Sequence, residues 1–406
     1  MITEAAKNQY NDILGHLVET LDLTESQYTE AENRYKAVGN WLQKEGSPLA
    51  PYTPEVLPQG SFRLGTMIRP LDDTDTYDID LVCKLNEAPT HYTQRNIKHS
   101  VGNRLKNNAD YKRMLQPESQ FCWTLKYADG TRFLMDIIPA VPDSMRRKLF
   151  SEHMAENLWQ SALRTTDNES EYYDSNDHEN WPKANPVGYA EWFKLQIQTF
   201  ENKRKMFAES VKMKIEEVPD WRVKTPLQRA IQILKRHRDI MFMNDDNKPV
   251  SIIITTLAAK AYSQEDNIYD ALLQVLDNMK SHISEKYSEK HNRLIRCVEN
   301  PVNPEENFAD MWAEYPKREE IFYEWLEKAK VDITNAISKS GLHNIQESLE
   351  KSFGNKDVIK AFSNYGDSLL EQRESGNLKM AAGTGLLGST GRTSVKQHQN
   401  FGKKNG

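Results

Sequence analysis

The chain has 406 residues, with 53 Lys or Arg against 59 Asp or Glu and a formal net charge of −6. That length allows a large buried core and more than one lobe, and the negative balance excludes the global basic field on which duplex nucleic-acid binding rests, so any polyanion site must be local. Three scattered cysteines without CxxC spacing exclude a disulfide framework and a structural zinc site; with no signal-peptide pattern and no run near the roughly 18 apolar residues of a membrane span, a cytoplasmic protein is expected.

In chain order, Ile13, Leu14, Leu17, Val18 and Leu21 share one face and predict a helix over 3–22. Thr24 with Gln27 is a capping-box signature for a second helix, whose buried side carries Tyr28, Tyr35, Val38, Trp41 and Leu42; four prolines between Ser47 and Pro58 end it. From Gly60 to about Pro142 the pattern turns to short β runs, YDIDLVCKL, FCWTLKY and TRFLMDIIPAV, the last two joined by an Asp129-Gly130 hairpin signal, with a helix over 93–107 between them. The polar stretch 167–185 reads as a long surface loop.

Beyond Pro186 nearly everything reads as helix. Thr225-Pro226 opens one with Leu227, Ile231, Leu234 and Met241 on its face, and Ser251 caps SIIITTLAAKAY, which is apolar nearly all round and therefore central. Amphipathic helices follow over 265–279, 307–312, 319–337 and 342–353, while the basic runs Lys203 to Lys205 and Arg236 to Arg238 read as solvated helix faces. From Ser375 to Gly406 there is no acidic residue, and Gly recurs six times after Gly376, so a flexible basic tail is expected. The divisions are thus 1–48, helices bracing both lobes; 49–185, an α/β domain; 186–374, a helical lobe; and 375–406, the tail.

Asp78 and Asp80 lie at i and i+2 of a strand and project from one face, while Ile79 and Leu81 point into the core. Like charges so placed repel, so a positive partner is implied. Asp136, inside the apolar run FLMDIIP, is costly unless neutralised, and beside the first two it would complete a metal cage. Three hard-oxygen ligands suit Mg²⁺, which keeps water and substrate phosphates in its shell, and two such ions can activate a hydroxyl and stabilise a leaving pyrophosphate. The expected reaction is nucleotidyl transfer. Gly60-Ser61 would hold phosphate oxygens at the start of a helix FRLGTMIR, with Arg63 and Arg69 as further cations. Taken singly these signals are weak, since D-x-D is more often a surface strand or turn and Asp136 is as readily a buried, hydrogen-bonded acid.

In the order Gly-Ser, D-x-D strand, D strand, the residues match the hG[GS]…DhD…D pattern and resemble the DNA polymerase β-like nucleotidyltransferase superfamily. The gap from Ser61 to Asp78 is longer than usual there, which implies an insertion around 70–76 whose Asp72, Asp73 and Asp75 read as a solvated loop. QGSFRLGT, DTYDIDLVCKL and RFLMDIIPAV, followed by TPLQRAIQILKRHRD and KPVSIIITTLAAKAY, resemble the bacterial cyclic GMP-AMP synthase/DncV-like nucleotidyltransferases (CD-NTases) of CBASS anti-phage systems. The resemblance implies an α+β fold: a polymerase β-like palm, with a small mixed sheet and helices, plus a C-terminal all-helical lobe, bilobed with the active site in the cleft. It implies Asp78, Asp80 and Asp136 as catalytic ligands of two Mg²⁺ ions, with Mn²⁺ able to substitute and Asp136 nearest the acceptor hydroxyl. Gln59, Gly60, Ser61, Arg63, Lys235 and Ser251 would surround the nucleotide, the last two touching the donor triphosphate. Read from the residues alone, Lys235 is the solvated edge of an apolar stripe and Ser251 an ordinary N-cap.

The implied substrates are two NTPs, ATP among them, joined by attack of a ribose hydroxyl on an α-phosphate into a cyclic di- or oligonucleotide second messenger for a downstream effector. No membrane contact is expected, and without a His-Cys-rich insertion no zinc-dependent DNA binding either. Several such enzymes end in a glycine conjugated by a ubiquitin-transfer-like partner; the ending NFGKKNG offers Gly406 for that role, against the plainer reading of an unstructured end. Two alternatives stand. A template-independent RNA nucleotidyltransferase of the poly(A) or CCA type would share the palm but want a broad basic face, and a non-catalytic nucleotide sensor would not need three carboxylates. Tyr77, Tyr262, Trp192 and Phe193 could stack on a base, yet each reads more readily as core.

Overall fold

The computed structural model describes residues 3–72, 76–128, 130, 132–143, 161–198, 224–243, 245–389 and 391–395. The expectations for Asp73, Asp75, Asp129, Lys203 to Lys205 and Gly406 lie outside the described residues. Helices α1 (Glu4–Leu21) and α2 (Glu25–Gln43) form as expected, α2 behind a complete Thr24–Gln27 capping box. They part at Asp22. The apolar face of α1 joins the core of the C-terminal half, and that of α2 joins the core beneath the sheet.

The palm-like half contains β1 (Pro54–Gln59), α3 (Gly60–Leu64), β2 (Tyr77–Leu85), α4 (Gln94–Lys106), α5 (Ala109–Met114), β3 (Trp123–Tyr127), β4 (Phe133–Pro142), β5 (Leu163–Thr165) and β6 (Lys183–Ala184). They build one mixed sheet in the order β1-β2-β4-β5-β6, with β3 also paired to β4. Among the described strands only β2 and β4 run parallel to each other, and α4 and α5 lie between them in the chain, as a crossover between parallel strands requires. The proline-rich β1 was not expected as a strand. It sits at the sheet edge against β2, so Pro54 and Pro58 can occupy it without breaking an interior ladder.

The expected helix over FRLGTMIR is shorter than its sequence suggests. It stops at Gly65 in the left-handed region, φ 66°, where a Cβ would meet Gln228 Nε2 at 2.6 Å, and the Thr66 N–H turns back to the Ser61 carbonyl at 3.0 Å.

The second half carries α6 (Pro186–Gln196), α7 (Pro226–Phe242), α8 (Ser251–Ala261) and α9 (Ile268–Asn278), then α10 (Met311–Glu314), α11 (Pro316–Ser338), α12 (Leu342–Phe353) and α13 (Asn355–Glu374). α8 is central and buried as expected, and α13 was missed. The all-helical expectation also fails over 284–307, where β7 (Ser284–Ser288) and β8 (Arg293–Cys297) form an antiparallel hairpin, followed by β9 (Glu299–Asn300) and β10 (Asn303–Asn307). The expected tail is also partly built into the fold. Its β11 (Lys379–Met380), β12 (Leu387–Gly388) and β13 (Thr393–Ser394) make a small antiparallel sheet, anchored by the buried Leu378.

The two halves are strapped together by α7. Arg236, His237 and Arg238, expected on a solvated face, are each buried. From one side of this helix Gln228 donates to the Leu64 carbonyl (2.8 Å), Gln232 to Met67 (2.8 Å), Lys235 to Thr66 (3.1 Å) and Arg236 to Arg69 (2.8 Å). Gln228, Gln232 and Lys235, four and three residues apart, form one stripe along the helix, and Arg236 at its edge reaches the same stretch of chain.

Asp22 anchors the other end of the strap. Its carboxylate accepts from Lys224, from Arg229 Nη1 at 2.6 Å and from Gln232 Nε2 at 2.6 Å, while its carbonyl accepts from Arg69 Nε at 2.6 Å. Burial pulls the Lys224 ammonium down to about 8, with Asp22 acting against that pull. Asp22→Ala leaves this ammonium buried without its carboxylate. Urea unfolding followed by circular dichroism is expected to show a loss of about 3–5 kcal/mol, and a loss under about 1 kcal/mol would show that the junction does not depend on this pair.

Candidate active site

The sheet register sets the site. Asp80 of β2 pairs with Gln59 of β1 on one side and Asp136 of β4 on the other, and Asp136 pairs in turn with Thr124 of β3. One row thus runs Gln59, Asp80, Asp136, Thr124, and directly paired residues point to the same face. Asp78, two residues before Asp80, shares that face, while Ile79 and Leu81 are fully buried on the other. Thr124 Oγ1 donates to Asp136 Oδ1 at 2.5 Å, which fixes one carboxylate oxygen and the side-chain rotamer.

Immediately after Gln59 the chain turns at Gly60, whose φ is 62°. A Cβ built there would collide with Asp80 Oδ2, so glycine is required by conformation and by space together. The result is that the Gly-Ser turn lies against the carboxylates, 20 residues away in sequence.

A cavity of about 960 Å³ opens between this face and α7 and α8. Gly60, Ser61, Asp78, Asp80, Asp136, Lys235 and Ser251 all line it, so seven of the expected residues converge. Gln59 and Arg63 are not among its lining residues. Arg63 turns instead toward the Pro58 carbonyl (3.4 Å) and Glu191 (3.8 Å). Arg69 lines the cavity, although its Nε is committed to Asp22, and of the four candidate aromatics only Tyr77 reaches it. Tyr262 and Phe193 are core residues, and Trp192 packs against that core.

The electrostatics follow from this crowding. Asp80 is pushed up to about 7, first by burial, then by the charges of Asp136 and Asp78, with Lys235 opposing. Asp78 reaches solvent at the cleft mouth yet is flanked by protein; its carboxyl is raised by lost hydration and then by Asp136, with Lys248 acting the other way. Lys235 is 4% exposed and falls to about 7, chiefly through burial and next through Arg238. It is not the solvated stripe edge that its position in the sequence suggests.

Among the described residues, no three His, Cys, Asp or Glu side chains converge closely enough to form a ready-made metal cage. The donor chemistry still fits a hard divalent cation, since Mg²⁺ is commonly held by one or two carboxylates with water and phosphate oxygens completing its shell. A buried carboxylate that holds a proton up to pH about 7 will also favour a cation in the proton's place.

Three residues of the cleft were missed from sequence. Lys248 lines the cavity near Asp78, Arg238 holds Ser251, and Thr124 holds Asp136. Lys248 stands before the Pro249 that leads into α8, Arg238 was hidden in a basic run, and Thr124 was an ordinary strand residue until its register was known.

Two outcomes are expected. Gly60→Ala, at a left-handed position with Asp80 in the way, should lower unfolding free energy by about 1–3 kcal/mol in chemical denaturation; an unchanged midpoint would contradict the contact. The folded pKa of Asp80 lies above its unfolded value near 4, so the metal-free protein loses stability as pH rises from about 4 to about 7, and the loss is complete above that. Asp80→Asn should therefore raise the metal-free melting temperature at pH 8 and leave it nearly unchanged at pH 4. An equal effect at both pH values would refute the assignment.

Comparison with known proteins agrees with this geometry. Residues 9–163 match the model of the Second Messenger Oligonucleotide or Dinucleotide Synthetase domain. A c-di-GMP synthase of Roseivirga ehrenbergii is 28% identical over 389 residues, covering 94% of each chain. The cyclic dinucleotide synthase CdnG of Bradyrhizobium diazoefficiens is 25% identical, covering 97% of this chain and 94% of that one. The solved structure of CdnG in complex with GTP superposes with a TM-score of 0.65 at 20% identity over 88% of this chain and 99% of that chain, a likeness of fold that spans both halves. With the carboxylate row, the Gly-Ser turn and the α7–α8 wall in one cleft, residues 9–163 match a second-messenger synthetase domain and the chain is similar over nearly its whole length to cyclic dinucleotide synthases, in the fold of the cGAS/DncV-like nucleotidyltransferases, the CD-NTases.

Proposed function

We propose that the protein joins two nucleoside triphosphates into a cyclic dinucleotide, releasing pyrophosphate at each bond formed. The observation that carries this reading is the row Asp80, Asp136, Thr124 beside Asp78 and the Gly60-Ser61 turn, facing Lys235 and Ser251 across one cavity. The 28% identical relative is named for c-di-GMP and the superposed structure holds GTP, which makes GTP, more than the ATP expected from sequence, the first substrate to test.

Asp78, Asp80 and Asp136 would hold divalent cations, in our reading Mg²⁺, which when bound supply charge to the α-phosphate and lower the pKa of an attacking hydroxyl. Asp136, its Oδ1 engaged by Thr124, would present its other oxygen toward the acceptor ribose hydroxyl and take up its proton as the bond to phosphorus forms. Ser61 and the Gly60 backbone would receive β- and γ-phosphate oxygens from one side and Lys235 and Ser251 from the other. Lys248, close enough to Asp78 to lower its pKa, would add positive charge at the mouth. Within the family resemblance, a downstream effector in anti-phage defence would read the product. The free thiols of Cys83, Cys122 and Cys297 fit a reducing, cytoplasmic setting. Among the described residues no helix is long and apolar enough to cross a membrane.

The test is incubation with labelled GTP, then with NTP mixtures, in Mg²⁺ or Mn²⁺, followed by phosphatase treatment and mass spectrometry. A phosphatase-resistant product with the mass of a cyclic dinucleotide is expected; extension of an RNA primer instead would favour the RNA nucleotidyltransferase, and no product from any mixture would overturn the reading. Replacing Asp78 and Asp80 together by Ala should lower product formation by at least about a hundredfold, because several kcal/mol of charge stabilisation depend on them.

A further inference from the structure

Arg238 is 7% exposed at the cleft, and its hydrogen bonds are nearly all committed. Nε and Nη2 donate to Asp239 Oδ1 at 2.9 and 2.7 Å, and Nη1 donates to the Pro249 carbonyl at 3.1 Å and to Ser251 Oγ at 2.7 Å. A guanidinium has donors only. In the last contact Ser251 Oγ must therefore be the acceptor, and the serine's own proton stays available. Ser251 itself lines the cavity, and its carbonyl accepts from Thr255 Oγ1 at 2.8 Å. Asp239 meanwhile neutralises the guanidinium, so Arg238 is poorly placed to take phosphate for itself.

We propose that Arg238 is a positioning residue. It acts through Ser251, fixing that hydroxyl as a hydrogen-bond donor to a phosphate oxygen of the bound triphosphate. This rests on the reading of the cleft as a nucleotide site. Without Arg238 the hydroxyl of a residue in the first turn of α8 is free to rotate and accept from a helix N–H, and it is then no longer aimed at the ligand.

The test is a double-mutant cycle on affinity for a non-hydrolysable GTP analogue in Mg²⁺, measured by calorimetry on the full chain. Ser251→Ala and Arg238→Met, which has no donor, are each expected to weaken binding by roughly tenfold, the worth of one hydrogen bond to a charged group. Combined, they should weaken it no more than either alone. In turnover each single change should raise KM and leave kcat within about twofold. Arg238→Lys, which keeps a donor, should recover part of the affinity when Ser251 is present and none in the Ser251→Ala background; it takes the place of Arg238→Met in the cycle if that variant does not fold. Losses that multiply to about a hundredfold in the double variant would overturn the proposal. So would unchanged affinity in Ser251→Ala alone, whatever the Arg238 variants do. Because the cycle reads triphosphate affinity, its outcome is independent of whether wild-type protein forms a cyclic product.

Discussion

Bringing Asp78, Asp80 and Asp136 onto one face of a sheet and then roofing them with helices is opposed by electrostatics at every step. Folding strips water from the carboxylates and sets like charges on paired strands, which is why Asp80 holds a proton to about pH 7 in the metal-free chain. The surrounding features answer that constraint. Gly60 has no Cβ and so leaves room for Asp80, Thr124 gives one oxygen of Asp136 a donor, and Lys235 and Lys248 face the cluster with opposite charge. Lys235 is itself destabilised as a cation by burial, so each group is held in a condition that an arriving ligand of the right charge would relieve.

The roof stays in place because α7 is tied down by donors as well as by apolar packing. Its apolar side is buried in the helical core, and its polar side reaches across to the segment after α3. Asp22 draws the start of α7 and that same segment toward the junction of α1 and α2, so the two cores meet where the chain crosses between them.

Much of this was legible in the chain. The run YDIDLVCKL is β2 residue for residue, and the alternation that puts Ile79 and Leu81 in the core is what aims the aspartates into the cleft. The capping box at Thr24 and the Thr225-Pro226 start were read from local chemistry alone, and local chemistry decided them. What failed did so where tertiary context outweighs local signal. Proline argued against β1, yet an edge strand tolerates it; the polar hairpin over 284–297 has no buried alternation to announce it; and Gly65 cut short a helix whose apolar residues ran on. Charge was the poorest guide. Arg236 and Arg238 looked like surface residues because nothing in a one-dimensional run shows that backbone carbonyls, Asp239 and Ser251 await them.

The strap from α7 has a property that bears on how such a protein can change over time. Within residues 64–69 its donors end on the main-chain carbonyls of residues 64, 66, 67 and 69, and the one side-chain acceptor among the described contacts there is the Thr66 hydroxyl. It therefore senses the path of that segment and is nearly blind to its side chains. Drift in the segment's sequence can alter what the cleft wall offers a nucleotide while the two halves keep their alignment, whereas Gln228, Gln232, Lys235 and Arg236 have no such freedom. Variation in ligand preference and constancy of architecture are thus assigned to opposite sides of one set of hydrogen bonds.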